Sequence, residues 1–242
     1  MTKIETGFIL AAGRGSRMRP LVDDCPKPLV RLHDRPILDY ILDALKLHGV
    51  RKLVINAHYR AEQIVEYGRT HQSEFDSLEI SVENELLETG GGLKQAAHLL
   101  GDQPFFMING DAFWREDTAQ EGSCLRDLES QFDAEKMDIL LNLIDVEKMK
   151  LTEGVGDYDF VPKTPKSLEA KPIRRNISKQ GAYMFTGIRI VHPRVLETMK
   201  EGAYSFLEQM DQAQAQAKLY GIPMRGLWHH ISTPEDVEAI NV

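Results

Sequence analysis

Between Leu10 and Arg31 the chain reads LAAGRGSRMRPLVDDCPKPLVR, a short apolar run opening into a loop with two glycines, several arginines and a lysine set between prolines. Gly13 and Gly15 tolerate positive φ and let successive backbone N–H groups approach an anion closely. Arg14, Arg17 and Arg19 add positive charge. Pro26 and Pro28 have fixed φ and restrict the residue before each, so Lys27 is expected on a stiff extended segment aimed back at the loop. The chemistry that fits is a grip on the phosphates of a nucleoside triphosphate. Met18 stands where the dinucleotide fingerprint needs its third glycine, and no GKS or GKT follows, so neither that fingerprint nor the P-loop describes the segment.

Three further places carry chemistry. An apolar run ends in Ile108-Asn109-Gly110-Asp111, which delivers a carboxylate at the end of a strand. Magnesium takes hard oxygen ligands, commonly one or two carboxylates with phosphate oxygens and water, and Asp111 is the leading candidate. Asn109 either orients Asp111 or satisfies backbone groups of the turn. Glu83 to Gly92, ENELLETGGG, leads into a helix with three consecutive glycines and could lie flat against a nucleobase, with Thr89 and Gly90 as the contacts. Thr89 also fits as the N-cap of that helix, and the two roles are compatible. Near the C-terminus, Thr233-Pro234-Glu235 has the form of an N-cap followed by proline at the first helical position.

Taken together, GxGxRxRP followed by PKP resembles the sugar-1-phosphate nucleotidyltransferases, which make UDP-, GDP-, ADP- or dTDP-sugars. The resemblance implies that Arg17 and Lys27 contact phosphates and that Asp111 binds the metal, making these three the expected catalytic residues. The expected nucleotide contacts are Ala11, Ala12, Gly13, Gly15, Arg17, Lys27, Thr89, Gly90 and Asn109. Gly154 to Asp157 and Phe185-Thr186-Gly187 resemble places where the family touches the sugar, with Gly156 and Gly187 as the contacts. Ala170-Lys171-Pro172 faintly resembles a Glu-Lys-Pro element whose lysine binds sugar phosphate in several members. The family's W-x-D-x-G-T-P-E segment supplies a second metal-binding aspartate, but here His230 takes its place and Ser232 replaces the glycine. A neutral imidazole is a poor magnesium ligand and suits manganese or zinc better. His230 therefore has three open roles: ligand of a softer metal, hydrogen-bond partner of a phosphate or water, or bystander. His229 is expected at the surface.

The implied reaction is attack of a sugar 1-phosphate on the α-phosphorus of an NTP, with pyrophosphate leaving and Mg²⁺, or Mn²⁺, as cofactor. The RMRPL variant, LLETGGG, HYRAEQI and the short chain look most like the N-acetylmuramate 1-phosphate uridylyltransferases of cell-wall recycling, which use UTP. Mannose-1-phosphate guanylyltransferase is the nearest rival, and choline-phosphate cytidylyltransferase a more distant one. A noncatalytic sugar-nucleotide-binding regulatory subunit is the alternative of another class.

These residues need a scaffold that gathers them. Apolar runs bounded by turn residues alternate with helix-period segments, the pattern of an α/β, Rossmann-like, mixed and mostly parallel sheet with helices on both faces. Expected strands are 8–12, 53–57, 78–82, 105–108, 137–144 and 182–190, and expected helices are 37–47, 61–67, 93–100 and 193–199. Residues 145–180 read as an inserted loop or hairpin over the sugar side of one domain spanning 1–242. Within it, Lys163, Lys166, Lys171, Arg174, Arg175 and Lys179 read as a solvated basic face. Gln212 to Ala217 reads as an exposed helical face. Hydrophobic residues make up 42% of 242, enough for a core and too dispersed for a membrane span. The net charge of −8 speaks against nucleic acid as partner, and two cysteines build no disulfide framework. The N-terminus lacks a signal-peptide pattern, so a cytoplasmic enzyme is expected.

Overall fold

A computed structural model of the chain describes residues 3–115, 123–149, 156–162 and 167–241. Gly154, Lys163 and Lys166, named above, lie outside the described residues. The first half runs β1 (Thr6–Leu10), β2 (Arg31–Leu32), β3 (Arg35–Pro36), α1 (Ile37–His48), β4 (Lys52–Ala57), α2 (Ala61–His71), β5 (Ser77–Val82), α3 (Glu88–Ala96) and β6 (Phe105–Asn109). There follow β7 (Phe113–Arg115), α4 (Cys124–Gln131), β8 (Ile139–Asp145), β9 (Tyr158–Asp159), β10 (Lys171–Pro172), β11 (Arg174–Arg175) and β12 (Tyr183–Val191). The chain closes with α5 (Arg194–Glu197), α6 (Leu207–Ala215), β13 (Leu219–Pro223), β14 (Leu227–His229) and α7 (Pro234–Asn241).

Ten strands form one mixed sheet whose main path is β10-β13-β8-β12-β6-β1-β4-β5. β6, β1, β4 and β5 are parallel, while β12 runs antiparallel to both β6 and β8. The chain crosses outward from β1 to β4 and β5, then returns to place β6 on the other side of β1. That reversal leaves a crevice at the carboxyl ends of β1 and β6, where open α/β sheets bind ligands.

Alternate strand residues divide between two apolar clusters, as a pleated strand covered on both faces requires. Ile9, Ile55, Phe106 and Ile108 join the side chains of α1, α4 and α7 in one cluster. Phe8, Val54, Phe105 and Met107 join those of α3, α5 and α6 in the other. Helix α1 turns Ile37, Leu38, Ile41, Leu42 and Leu45 inward and stops at Gly49, whose φ of 101° lets its N–H reach the Leu45 and Lys46 carbonyls. No described helix is long and apolar enough to cross a membrane.

Several elements differ from the pattern reading. β1 ends at Leu10, so Ala11 and Ala12 belong to the loop. Helix α3 begins five residues early and takes the glycine triplet inside it. The reason is close packing: a Cβ on Gly91 would lie 2.2 Å from the Gly202 carbonyl oxygen, and one on Gly92 only 2.3 Å from Glu83 Oε1. The described parts of 145–180 add short strands to the sheet, β9 against β11 and β12, and β10 on β13 at the edge. Helix α6 is exposed at Gln212 and Ala215 but buries Met210 and Ala213, and ends before Ala217. β13 carries Gly221 and Pro223 within its five residues and β7 and β14 are three residues each, so none of them shows a strand pattern in the sequence.

Gly92→Ala should lower stability by about 2 kcal/mol or more, since the new methyl must part the buried Glu83–Asn56 hydrogen bond or move α3. A thermal midpoint within a degree of wild type would show that this contact has room to spare.

Candidate active site

The loop after β1 is anchored at both ends. Ala11 N–H donates to Asn56 Oδ1 at 2.7 Å. Met18, fully buried, holds a 3₁₀ turn at Ser16–Met18 whose N–H returns to the Gly15 carbonyl at 2.8 Å. Gly15 has φ 60°, and a Cβ there would press on Lys27 Cβ at 3.0 Å, so glycine meets both a conformational and a spatial demand. Of the three arginines, Arg17 lines the cavity above this loop. Arg19 turns outward to Asp23 at 3.3 Å, and Arg14 lies at the surface outside the cavity lining.

Lys27 opens a 3₁₀ turn, Lys27–Leu29, in place of the expected extended segment. Its Nζ donates to Asp111 Oδ2 at 2.5 Å and to the Ile231 carbonyl at 2.6 Å, with the residue only 9% exposed. These acceptors meet because β7 and β14 pair antiparallel, Phe113 opposite His229, which brings Asp111 and Ile231 beside one another. Thr233 and Asp236 then cap α7 reciprocally: Asp236 N–H donates to Thr233 Oγ1 at 3.4 Å, and the N–H groups of Ser232 and Thr233 donate to Asp236 Oδ2 at 2.7 and 2.9 Å.

A cavity of about 420 Å³ opens over these groups, lined by Ala11, Ala12, Gly13, Gly15, Arg17, Lys27, Thr89, Asn109 and Asp111 among others. Gly90 is outside this lining, because its N–H donates to the Tyr204 carbonyl at 2.8 Å and its Cα packs on the Tyr204 ring. Thr89 does not cap α3: Leu87 precedes the helix, and Thr89 Oγ1 accepts the Phe206 N–H at 2.8 Å. Glu88, which also lines the cavity, holds φ 57°, a conformation costly for a residue with a Cβ.

Asn56 and Glu83, whose role no sequence motif marks, join the two loops. Glu83, 2% exposed, accepts from Asn56 Nδ2 at 2.6 Å and from Leu87 N–H at 2.9 Å, and Asn56 in turn holds Ala11. Burial pushes the Glu83 carboxyl up, while the Leu87 N–H and Asn56 amide pull the other way. An asparagine inside the apolar run LVINA was the available signal.

A second cavity of about 340 Å³ adjoins the first and shares Thr89, Asn109 and Ser205 with it. Gly156 and Gly187 line neither cavity. Gly156 packs its Cα against the Gly181 carbonyl, and Gly187, at φ 84°, packs against the Asn109 side chain. Their neighbours Asp157, Tyr158 and Phe185 face the space instead. Arg175 and Lys179, expected as solvated, also line it, Arg175 in an ion pair with Asp211 at 2.7 Å. Asn109 Oδ1 accepts from Arg189 Nη2 at 3.4 Å.

His230 follows β14 and stacks on Trp228, ring centroids 5.7 Å apart. Burial lowers its pKa foremost; Asp111 opposes this and Lys27 and Arg17 reinforce it, so the ring is neutral at pH 7 within the field of the Lys27–Asp111 pair. His229 is buried against Phe113 on β14, against the surface position expected for it. Among the described residues no group of three His, Cys, Asp or Glu is placed to hold a metal by itself.

The family model for nucleotidyl transferases matches residues 6–242. N-acetylmuramate alpha-1-phosphate uridylyltransferase of Caulobacter vibrioides is 30% identical over 235 residues, 94% of this chain and 92% of that one. Mannose-1-phosphate guanyltransferase of Hypocrea jecorina is 27% identical over 95% of this chain, which spans 61% of that enzyme. Among solved structures, the inositol-1-phosphate CTP transferase from T. maritima superposes with a TM-score of 0.74 at 18% identity, over 99% of this chain and 96% of the other, which speaks for the fold. With a loop of glycines and arginines at the carboxyl end of β1 and the matched model spanning nearly the whole chain, the protein belongs to the nucleotidyl transferase family of enzymes.

Proposed function

We propose that this enzyme transfers a nucleotidyl group from an NTP to a sugar 1-phosphate and releases pyrophosphate. The observation that carries this reading is the ion pair of the buried Lys27 with Asp111 at the edge of a cavity that adjoins a second one through Thr89, Asn109 and Ser205. The first cavity suits the nucleotide, with the Gly13–Gly15 backbone and Arg17 at the phosphates and Glu88 and Thr89 toward the base. The second suits the sugar.

The attacking phosphate oxygen is already an anion, so no general base is needed; the protein must align two polyanions and neutralise charge at the α-phosphate. Lys27 has three N–H donors, two of them held by Asp111 and Ile231, which leaves the third for a phosphate oxygen. The donor set fits a hard divalent ion, since Asp111 supplies one carboxylate and bound phosphates supply further oxygens. Asp111 would hold Mg²⁺ there, and the ion would add positive charge beside the reacting phosphates. His230, neutral and adjoining, suits a phosphate or water contact, or a share in binding Mn²⁺.

UTP and N-acetylmuramate 1-phosphate are the proposed substrates, supported by the Caulobacter vibrioides relative that this chain matches over nearly all of both lengths. GTP with mannose 1-phosphate is the second reading, supported by the guanyltransferase matches.

Pyrophosphate release across UTP, GTP, CTP, ATP and dTTP, each with N-acetylmuramate 1-phosphate, mannose 1-phosphate or glucose 1-phosphate, should give the highest kcat/KM for UTP with N-acetylmuramate 1-phosphate. Preference for GTP with mannose 1-phosphate would reverse the substrate assignment, and silence with every pair would favour a binding protein. Lys27→Ala and Asp111→Ala should each lower kcat at least about tenfold, roughly 1.4 kcal/mol of transition-state stabilisation; near-normal turnover in both would sink the mechanism. His230→Ala should lower kcat with either Mg²⁺ or Mn²⁺, and wild-type kcat with both ions would remove this imidazole from the chemistry.

A further inference from the structure

Arg189 lies in β12 opposite Met107 of β6 and Leu141 of β8, at the floor of the second cavity. It is only 3% exposed. Its guanidinium faces the rings of Phe185 and Phe206, 5.0 Å from each centroid, and makes one long hydrogen bond, to Asn109 at 3.4 Å. Nε has no hydrogen-bond partner, and among the described residues Arg189 makes no ion pair.

A buried cation is costly unless it is paired and hydrogen-bonded. Two aromatic faces offset part of that cost, but nothing described supplies the oxygen pair that a planar guanidinium fork is shaped to bind. Burial lowers the Arg189 pKa to about 9, which leaves the group charged at neutral pH. The surrounding lining adds the cations Arg175 and Lys179 against one acid, Asp157. Asp211 already answers Arg175, and Lys179 is exposed. Arg189 is thus the deeply buried donor whose partner is missing, and its cavity meets the nucleotide cavity at Asn109, the residue it touches.

We propose that Arg189 is a substrate-binding residue whose guanidinium receives the anionic oxygens of the sugar 1-phosphate held in the second cavity. This rests on the nucleotidyl-transfer reading for the nature of the substrate. Two groups have the required chemistry: the 1-phosphate, present on every such sugar, and a carboxylate, present on a sugar acid such as N-acetylmuramate. Arg189 then selects for an anion at this depth, and the aromatic faces hold the fork in position before substrate arrives.

The test is calorimetric titration of glucose 1-phosphate and of N-acetylmuramate 1-phosphate into wild type, Arg189→Met and Arg189→Lys, with UTP present and divalent ions chelated so that no turnover occurs. Methionine matches the apolar surroundings of Phe185, Phe206 and Met210, so Arg189→Met should fold with a thermal midpoint no lower than wild type. Its sugar-phosphate affinity should fall at least about tenfold, with UTP affinity unchanged. Arg189→Lys keeps the charge, loses the fork, and should fall between the two; it carries the same test if the methionine variant does not fold. Equal loss for both sugars assigns the phosphate as partner, and loss confined to N-acetylmuramate 1-phosphate assigns the carboxylate. Wild-type affinity for both sugars in a folded variant would overturn the proposal, as would failure of wild type to bind either. Wild type that binds sugar phosphate yet releases no pyrophosphate with divalent ion restored would refute the transfer activity and leave the role of Arg189 standing.

Discussion

The ammonium of Lys27 is the point on which the site depends. A lysine this buried must keep acceptors around its charge, and here they come from distant parts of the chain: Asp111 after β6 and the Ile231 carbonyl after β14. Holding those three segments together is the same act as building this corner of the first cavity. The β7–β14 pair, too short to add much stability of its own, matters because it sets Asp111 and Ile231 side by side. Gly15 belongs to the same constraint, since any side chain there would displace Lys27.

A second buried connection sets the width of the first cavity. Ala11, Asn56, Glu83 and Leu87 form a chain of hydrogen bonds running from the loop after β1, through β4, to the loop before α3. Fully satisfied polar chains of this kind rigidify what they join. The glycine triplet serves them: Gly92 leaves room for the Glu83 carboxylate, while Gly90 and Gly91 admit the 202–204 backbone, which carries Ser205 to the wall shared by both cavities. These glycines shape the site from behind and line neither cavity.

Legibility followed locality. Ala11, Ala12, Gly13, Gly15, Arg17, Lys27, Thr89, Asn109 and Asp111 all reach the first cavity, because they sit in the loop after β1, at the start of α3 and at the end of β6, positions that follow from the alternation of strands and helices. Gly90, Gly156 and Gly187 fell one or two residues from the surface they were expected to line. Which side of a loop faces a cavity depends on neighbours such as Tyr204, Gly181 and Asn109, which are remote in sequence or undetectable as partners from composition. Arg175 and Lys179 looked solvated for the same reason: a cation in a polar stretch reads alike whether it faces water or a cavity. Arg189 and Asn56 were visible only as polar interruptions of apolar strands.

By itself the sequence determined the main alternation of strands and helices, the stop of α1 at Gly49, the start of α7 at Thr233 and Pro234, and a loop of glycines and arginines at the end of the first strand. Hydrophobic period, proline, glycine and capping residues act over a few neighbours, and those forces need no fold to be read. Only the tertiary structure decided that Lys27 closes on Asp111 and Ile231, that Asn56 and Glu83 tie one loop to the other, and that Arg189 waits uncompensated beneath the second cavity. Each of those depends on burying a polar or charged group against partners from far along the chain, and burial is a property of the assembled sheet.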